Sequence, residues 1–251
     1  MTAEIHPTAA AGFARAADAY ERGRPAYPAA AVAWLARELD LVPGRRVIDL
    51  AAGTGKLTRP LVRTGATVVA VEPVAEMRAL IDGVEALDGR ADAMPFPEGW
   101  ADAVTVGQAF HWFATGEALA EIHRVLKPGG GLGLIWNGRV REDPVQVAVD
   151  ELIDPLVGDV QRLYDDAWRA VIEESALFGP LVESSFPHEQ VLDEPGLVDR
   201  VLSTSYVASA PPARRDEVEA GLRAIVRERG GQVVVPYVTS THVTRRRTAQ
   251  S

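Results

Sequence analysis

A chain of 251 residues, 47% hydrophobic and 24% charged, carries enough apolar material for a full core without metal or disulfide support. It has no cysteine, which excludes disulfides, thiolate metal sites and a cysteine nucleophile. A formal net charge of −9, a start that lacks the basic and apolar regions of a secretory leader, and no apolar run of bilayer length lead us to expect a cytoplasmic protein with neither nucleic-acid nor membrane partners.

In chain order, residues 29–39 form a predicted helix with Val32, Leu35 and Leu39 on one side and Pro28 where a helix can begin. Residues 47–51 and 67–71 are apolar runs of strand length on either side of 57–64, a predicted helix whose first turn must start near Thr58 to tolerate Pro60. Residues 74–84 read as helical, a weak strand fits 84–87 before the turn-rich stretch 94–99, and a clear strand returns at 103–106. An amphipathic helix at 118–126 is stopped by Lys127-Pro128-Gly129-Gly130, and 131–136 is the next strand. This alternation predicts an α/β fold with a mostly parallel sheet and helices on both faces.

Beyond Asn137 two long helical segments, 144–157 and 160–175, read as a cap. A strand at 186–192, helices at 195–203 and 214–229, and a last strand at 237–245 follow, with Pro236 placed at that strand's start because it cannot donate in a central strand. The basic run Arg245, Arg246, Arg247 reads as a solvated end without function. The expected organisation is an N-terminal arm (1–28), a cofactor-binding core (29–138), a substrate cap (139–185) and a C-terminal completion of the sheet (186–251).

The first strand runs into Asp49-Leu50-Ala51-Ala52-Gly53-Thr54-Gly55 and then a helix. Small residues let the backbone approach a ligand there, and the helix start offers N–H groups. Glu72, about twenty residues beyond at the end of the second strand, is placed to accept hydrogen bonds from ribose hydroxyls, which implies an adenosine cofactor. A nicotinamide or flavin dehydrogenase fits the same residues. Against it, the last position of a G-x-G-x-x-G pattern is Thr58, and Asp49 suits an ammonium better than a diphosphate, which it would repel. The segment from Gly107 to Phe113 lies just past the fourth strand, at the edge where open α/β sheets bind ligands. Its aromatics serve either packing or a pocket wall. His111 is the one titratable side chain there, a candidate general base with an ordinary pKa near 6.5 or else a packing residue.

These residues resemble the class I S-adenosylmethionine-dependent methyltransferases, small-molecule branch type 11, over about 13–136. The resemblance implies a Rossmann-like seven-stranded sheet and S-adenosyl-L-methionine as cofactor. It implies that Asp49 and the backbone of Ala51, Gly53 and Gly55 hold the methionine moiety, with Ala51 standing where the commonest pattern has glycine, and that Glu72 holds the ribose. It implies an adenine site at Asp92 and Ala93, with Pro73 and Met77 against the purine, and Gln108 facing the methionine part. Tyr20 and Arg24, in the run Phe13, Tyr20, Arg24-Pro25, Tyr27-Pro28, correspond to a lid near the cofactor's carboxylate; Phe110, His111 and Trp112 fall on the substrate side. Lys127-Pro128-Gly129-Gly130-Gly131 is a structural marker. The expected reaction is in-line methyl transfer to an oxygen, nitrogen or carbon of a small molecule without a metal, since His6, His111, His123, His188 and His242 lack ligand spacing. An NAD-dependent dehydrogenase, a non-catalytic S-adenosylmethionine-binding protein and a cyclase on the same fold remain alternatives, and monomer and homodimer are both open.

Overall fold

The computed structural model describes residues 23–157 and 167–248. Helix α1 (Ala29–Glu38) begins behind Pro28 and buries Ala31, Val32 and Leu35. Strand β1 (Arg46–Leu50), helix α2 (Thr58–Val62) and strand β2 (Thr67–Val71) form the βαβ unit, with Pro60 in the first turn of α2, where no intrahelical donor is required. Helix α3 (Ala75–Arg78) is far shorter than the helical run at 74–84, because the chain turns at Asp82-Gly83, where Gly83 adopts φ 73°. Strand β3 (Glu85–Leu87), strand β4 (Ala101–Gly107), a 3-10 turn (Phe110–Trp112), helix α4 (Gly116–Val125) and strand β5 (Leu126–Arg139) follow. Then come α5 (Pro144–Val157), α6 (Ala167–Glu174), β6 (Val182–Asp193), α7 (Glu194–Leu202), α8 (Ser205–Ala208), α9 (Pro212–Glu228) and β7 (Gln232–Arg245).

All seven strands lie in one sheet of order β3-β2-β1-β4-β5-β7-β6, parallel from β3 to β5 and antiparallel where β7 inserts between β5 and β6. The strand order reverses between β1 and β4, so the crevice that such sheets use for ligands opens at the C-terminal ends of these two strands. Pro236 lies inside β7, which corrects its expected place at the start. Its carbonyl accepts from the Val140 N–H (3.4 Å), so its nitrogen faces the β5 side, just beyond the last β5 pairing, Arg139 with Tyr237; no ladder bond is asked of it.

Helices α4 and α6 cover one face, where Leu119, Ile122, Trp168 and Ile172 pack on Ile48, Val104, Leu132 and Leu134. Helices α1 and α2 cover the other, with Leu35, Leu39 and Leu61 on Val47, Ala103 and Ile135. A third cluster joins Val149 of α5, Leu197 and Val201 of α7 and Leu222 of α9 to Val233 and Val235, on the part of β7 that projects past β5, and to Tyr237 opposite the last residue of β5. The helices that form this layer are therefore α5 with α7 to α9, whereas α6 belongs to the sheet core. The basic run at the end keeps Arg245 and Arg247 exposed but is tied to the fold: the Arg246 N–H donates to Gly130 O (2.8 Å), the Arg247 N–H to Leu177 O (2.9 Å), and the Arg245 guanidinium to Glu38 O. No helix among the described residues is long and apolar enough to cross a membrane.

Candidate active site

At the C-terminal edge of the parallel strands lies a cavity of about 500 Å³. That is within the roughly 300–1,000 Å³ of ligand sites. Its wall crosses the sheet from Glu72, Pro73 and Met77 beyond β2, through the loops after β1 and β4, to Trp136, Arg139 and Tyr237 on β5 and β7.

Asp49, fully buried near the end of β1, accepts hydrogen bonds from the Thr58 hydroxyl (2.6 Å) and the Thr105 hydroxyl (3.1 Å). Burial outweighs both bonds and pushes its carboxyl up to about 7. The following turn uses left-handed backbone at Ala51 (φ 54°), Gly53 (φ 58°) and Gly55 (φ 82°). At Ala51, where the commonest pattern has glycine, this costs roughly 1–2 kcal/mol. The N–H groups expected to face a ligand are largely used inside the protein: Ala52 donates to Val71 O (3.1 Å), Gly55 to Ala52 O (2.9 Å) and Gly53 to the Glu72 carboxylate (2.9 Å). Glu72, 5% exposed, also accepts from the Val74 N–H (2.9 Å) and so clamps the glycine turn to the end of β2. Burial raises its pKa against the pull of those two bonds. Its oxygens retain acceptor capacity on the cavity side.

The loop after β3 carries the residues expected at the adenine. The Asp92 carboxylate is gripped by the Arg90 guanidinium through Nε and Nη2, both at 3.0 Å, and the Ala93 N–H donates to Arg90 O (3.1 Å). Neither residue lines the cavity; Gly89, Arg90 and Ala91 do. Glu121 of α4 fixes this loop by accepting the Met94 N–H (2.7 Å) while Arg124 holds its carboxylate. Gly55 is likewise off the wall, against Arg59 and Ile81.

Past β4, Gln108 adopts φ 63° while its N–H donates to Ile135 O (2.9 Å), a strained residue of the kind found at ligand sites. A Cβ on Gly107 would lie 2.5 Å from the Tyr27 hydroxyl, so only glycine admits this approach. Residues 23–28 form a strap there: the Asn137 amide donates to Pro25 O and Ala26 O (3.2 and 3.3 Å), and Gln190 donates to Gly23 O (3.3 Å). Arg24 of the strap is on the cavity wall, and Tyr20 lies outside the described residues. Phe110 does not reach the wall. It is fully buried, edge-on to Phe113 and Trp168, because its ring completes the sheet core. His111 and Trp112 do line the cavity. Burial pushes the His111 imidazole down to about 4, and the Trp136 indole N–H donates to its Nδ1 (3.4 Å). The neutral ring then carries its hydrogen on Nε2. Of the two roles read from the sequence, base or packing residue, this environment suits the second: a neutral side chain whose Nδ1 is engaged.

Among the wall residues that the sequence did not single out are Trp136, Trp168 and Arg200. Trp136 stacks on Trp168 (centroids 4.8 Å apart, 29° between planes), and Arg200 of α7 lines the cavity beside Tyr237 of β7. Trp136 stands near the end of β5 much as His111 follows β4, which was a usable signal. Arg200 sits three residues after Leu197 on the apolar face of α7, an anomaly also visible in sequence. Trp168 gave no signal beyond an amphipathic helix.

Residues 48–134 match the family model described as a methyltransferase domain. The chain is 37% identical over 236 residues to an uncharacterised methyltransferase of Mycobacterium tuberculosis, spanning 90% of this chain and 92% of that one. It belongs to the methyltransferase family. A methyltransferase-like protein of Schizosaccharomyces pombe, also uncharacterised, is 32% identical over 213 residues, 83% of each chain. Among solved structures, phosphoethanolamine N-methyltransferase 2 of Haemonchus contortus, in complex with phosphomonomethylethanolamine and S-adenosylhomocysteine, shares the fold with a TM-score of 0.58 at 16% identity, over 94% of this chain and 58% of that one. This methyltransferase carries a type 11 domain, and S-adenosylmethionine is the cofactor that its family implies. The site's own chemistry fits that cofactor. Glu72 offers a buried carboxylate to hydroxyls, and Asp49, which has no cation paired with it among the described residues, would be returned to its ionised form by an ammonium.

Proposed function

We propose that this methyltransferase acts on an oxygen, nitrogen or carbon of a small molecule bound over β5 and β7, with the cofactor over β1 and β2. The observation that carries this reading is the single cavity that joins Asp49 and Glu72 to the aromatic wall of Trp112, Trp136 and Trp168. In this reading Glu72 takes the ribose hydroxyls and Asp49 the ammonium. Pro73 and Met77 flank the purine, the backbone of 89–91 meets its edge, and the strained Gln108 turns its main chain to the methionine part. When bound, S-adenosylmethionine supplies an electrophilic methyl group on a sulfonium, a cation that aromatic faces attract. The chain supplies alignment and exclusion of water, and orientation alone lowers such a barrier by roughly 7–11 kcal/mol.

His111 serves this arrangement as a neutral positioning residue. With a pKa near 4 it is unprotonated throughout the physiological range, and Trp136 engages its Nδ1. The test incubates the protein and His111→Ala with cofactor and a panel of small acids, phenols and amines, following S-adenosylhomocysteine from pH 5.5 to 8.5. The expected result is turnover on a member of the panel, lowered about tenfold in the variant, as for one lost hydrogen bond, with the shape of the pH profile unchanged. An acidic limb near 6.5 that vanishes in His111→Ala, with a loss of roughly 10²–10⁴, would make His111 the base. Turnover on no small molecule would contradict the reading as a whole.

A further inference from the structure

Helix α7 buries Leu197 and Val201, and Arg200 shares that face: it is 5% exposed and lies on the cavity wall. Its guanidinium has five N–H groups. Nε donates to the Tyr237 hydroxyl, Nη2 donates to Gln146 Oε1 (3.1 Å), and the group lies over the Tyr237 ring at 5.4 Å from its centroid. The remaining donors have no acceptor among the described residues, and no carboxylate among those residues pairs with Arg200. Both partners are neutral and nearly fully buried, and both are themselves held. Gln146 donates to Asp150 (2.6 Å), and the Tyr237 hydroxyl donates to Gln190 (3.4 Å). The guanidinium is thus oriented without being neutralised.

An arginine cannot shed its proton when buried, so a guanidinium in this position retains its charge and lacks a counter-ion. Burial is the largest influence lowering its pKa, and the nearby cations Arg139 and Arg24 add repulsion. Acids are present on this side of the cavity: Asp150 is engaged by Arg139 (3.2 Å) and Gln146, and Asp154 lies on the wall as well. Against these two stand Arg24, Arg139, Arg141 and Arg200. The stacked pair Trp136 and Trp168 provides an apolar face within the same cavity.

We infer that Arg200 receives the carboxylate of the methyl acceptor, so that the substrate class is small organic acids with an apolar body. A guanidinium fork matches a carboxylate in shape and charge, and the anion supplies the counter-ion that the fold omits. The inference rests on the placement of the acceptor over β5 and β7 proposed above.

The test titrates S-adenosylhomocysteine into the protein by calorimetry, then titrates the saturated complex with benzoate, cinnamate and succinate and with the corresponding amides. We expect at least one carboxylate to bind tenfold or more tightly than its amide. Arg200→Met should abolish that preference while changing S-adenosylhomocysteine affinity less than twofold, and Arg200→Lys, which keeps the charge without the fork, should recover part of it. Equal binding of acids and amides, no carboxylate binding, or a preference that survives Arg200→Met would overturn the inference. A tenfold loss of S-adenosylhomocysteine affinity in Arg200→Met would overturn it too, by placing the cofactor's own carboxylate there. If Arg200→Met does not fold, the wild-type comparison and Arg200→Lys decide. Failure of the cofactor assignment shows separately, in the first titration.

Discussion

Asp49 shows how one residue couples binding to stability. A carboxyl whose pKa rises from 3.8 to about 7 on folding holds its proton more tightly in the folded chain. Folding is therefore penalised as pH climbs from about 4, and the penalty is complete above 7, of the order of 4 kcal/mol for a shift of that size. Asp49→Asn removes it, and the Thr58 and Thr105 hydroxyls can rotate to suit an amide. The variant without cofactor should melt higher than wild type at pH 8 and alike at pH 4 by calorimetry. Cofactor binding goes the opposite way: an ammonium requires the ionised carboxylate, so wild-type affinity should rise from pH 6 to 8 while that of the variant stays weak and flat. Equal melting at pH 8 would show that Asp49 is not held protonated. At this scale the places of Asp49, Glu72 and His111 on the cavity wall were legible in the sequence, since each stands at or just beyond the end of a recognisable strand. The sequence did not show that Arg90, two residues away, engages the Asp92 carboxylate, nor that burial lowers the His111 pKa, since no local pattern shows burial.

Among the elements, the strap at 23–28 and the end of β4 form one mechanical unit, because the Tyr27 hydroxyl occupies the space a side chain on Gly107 would need. Gly107→Ala should push Tyr27 aside, loosen Arg24 on the wall and weaken S-adenosylhomocysteine binding about tenfold, with the fold retained by circular dichroism. Adding Tyr27→Phe removes the clashing oxygen and should restore most of the affinity. A Gly107→Ala protein that binds as wild type does would show that the strap takes no part in the site. Strand β2, a continuous apolar run buried on both faces, and helix α5, with one buried face, were legible to the residue, since burial dictates each pattern. Helix α3 was not, because the turn at Gly83 overrides a helical composition. Nor was the full length of β6 and β7, whose pairing extends beyond β5 to carry α5, α7 and α9.

For the whole molecule, the sheet order places β1 and β4 side by side, and this adjacency turns two separate loops into a single site. The alternation of strands and helices made the sheet and its ligand-binding edge legible. The grouping of the cap was not, since α5 and α7 to α9 meet only through contacts distant in sequence, while α6 joins the sheet core. That same long-range packing brings Arg200 to Tyr237 and Gln146. The central claim, that cofactor and acceptor share the cavity across β1 and β5, is tested most directly by a crystal structure with S-adenosylhomocysteine. The account predicts the ribose hydroxyls on Glu72, the ammonium near Asp49 and the sulfur turned towards His111 and Trp136. A ribose bound away from Glu72, or a sulfur facing away from the β5 side, would contradict it.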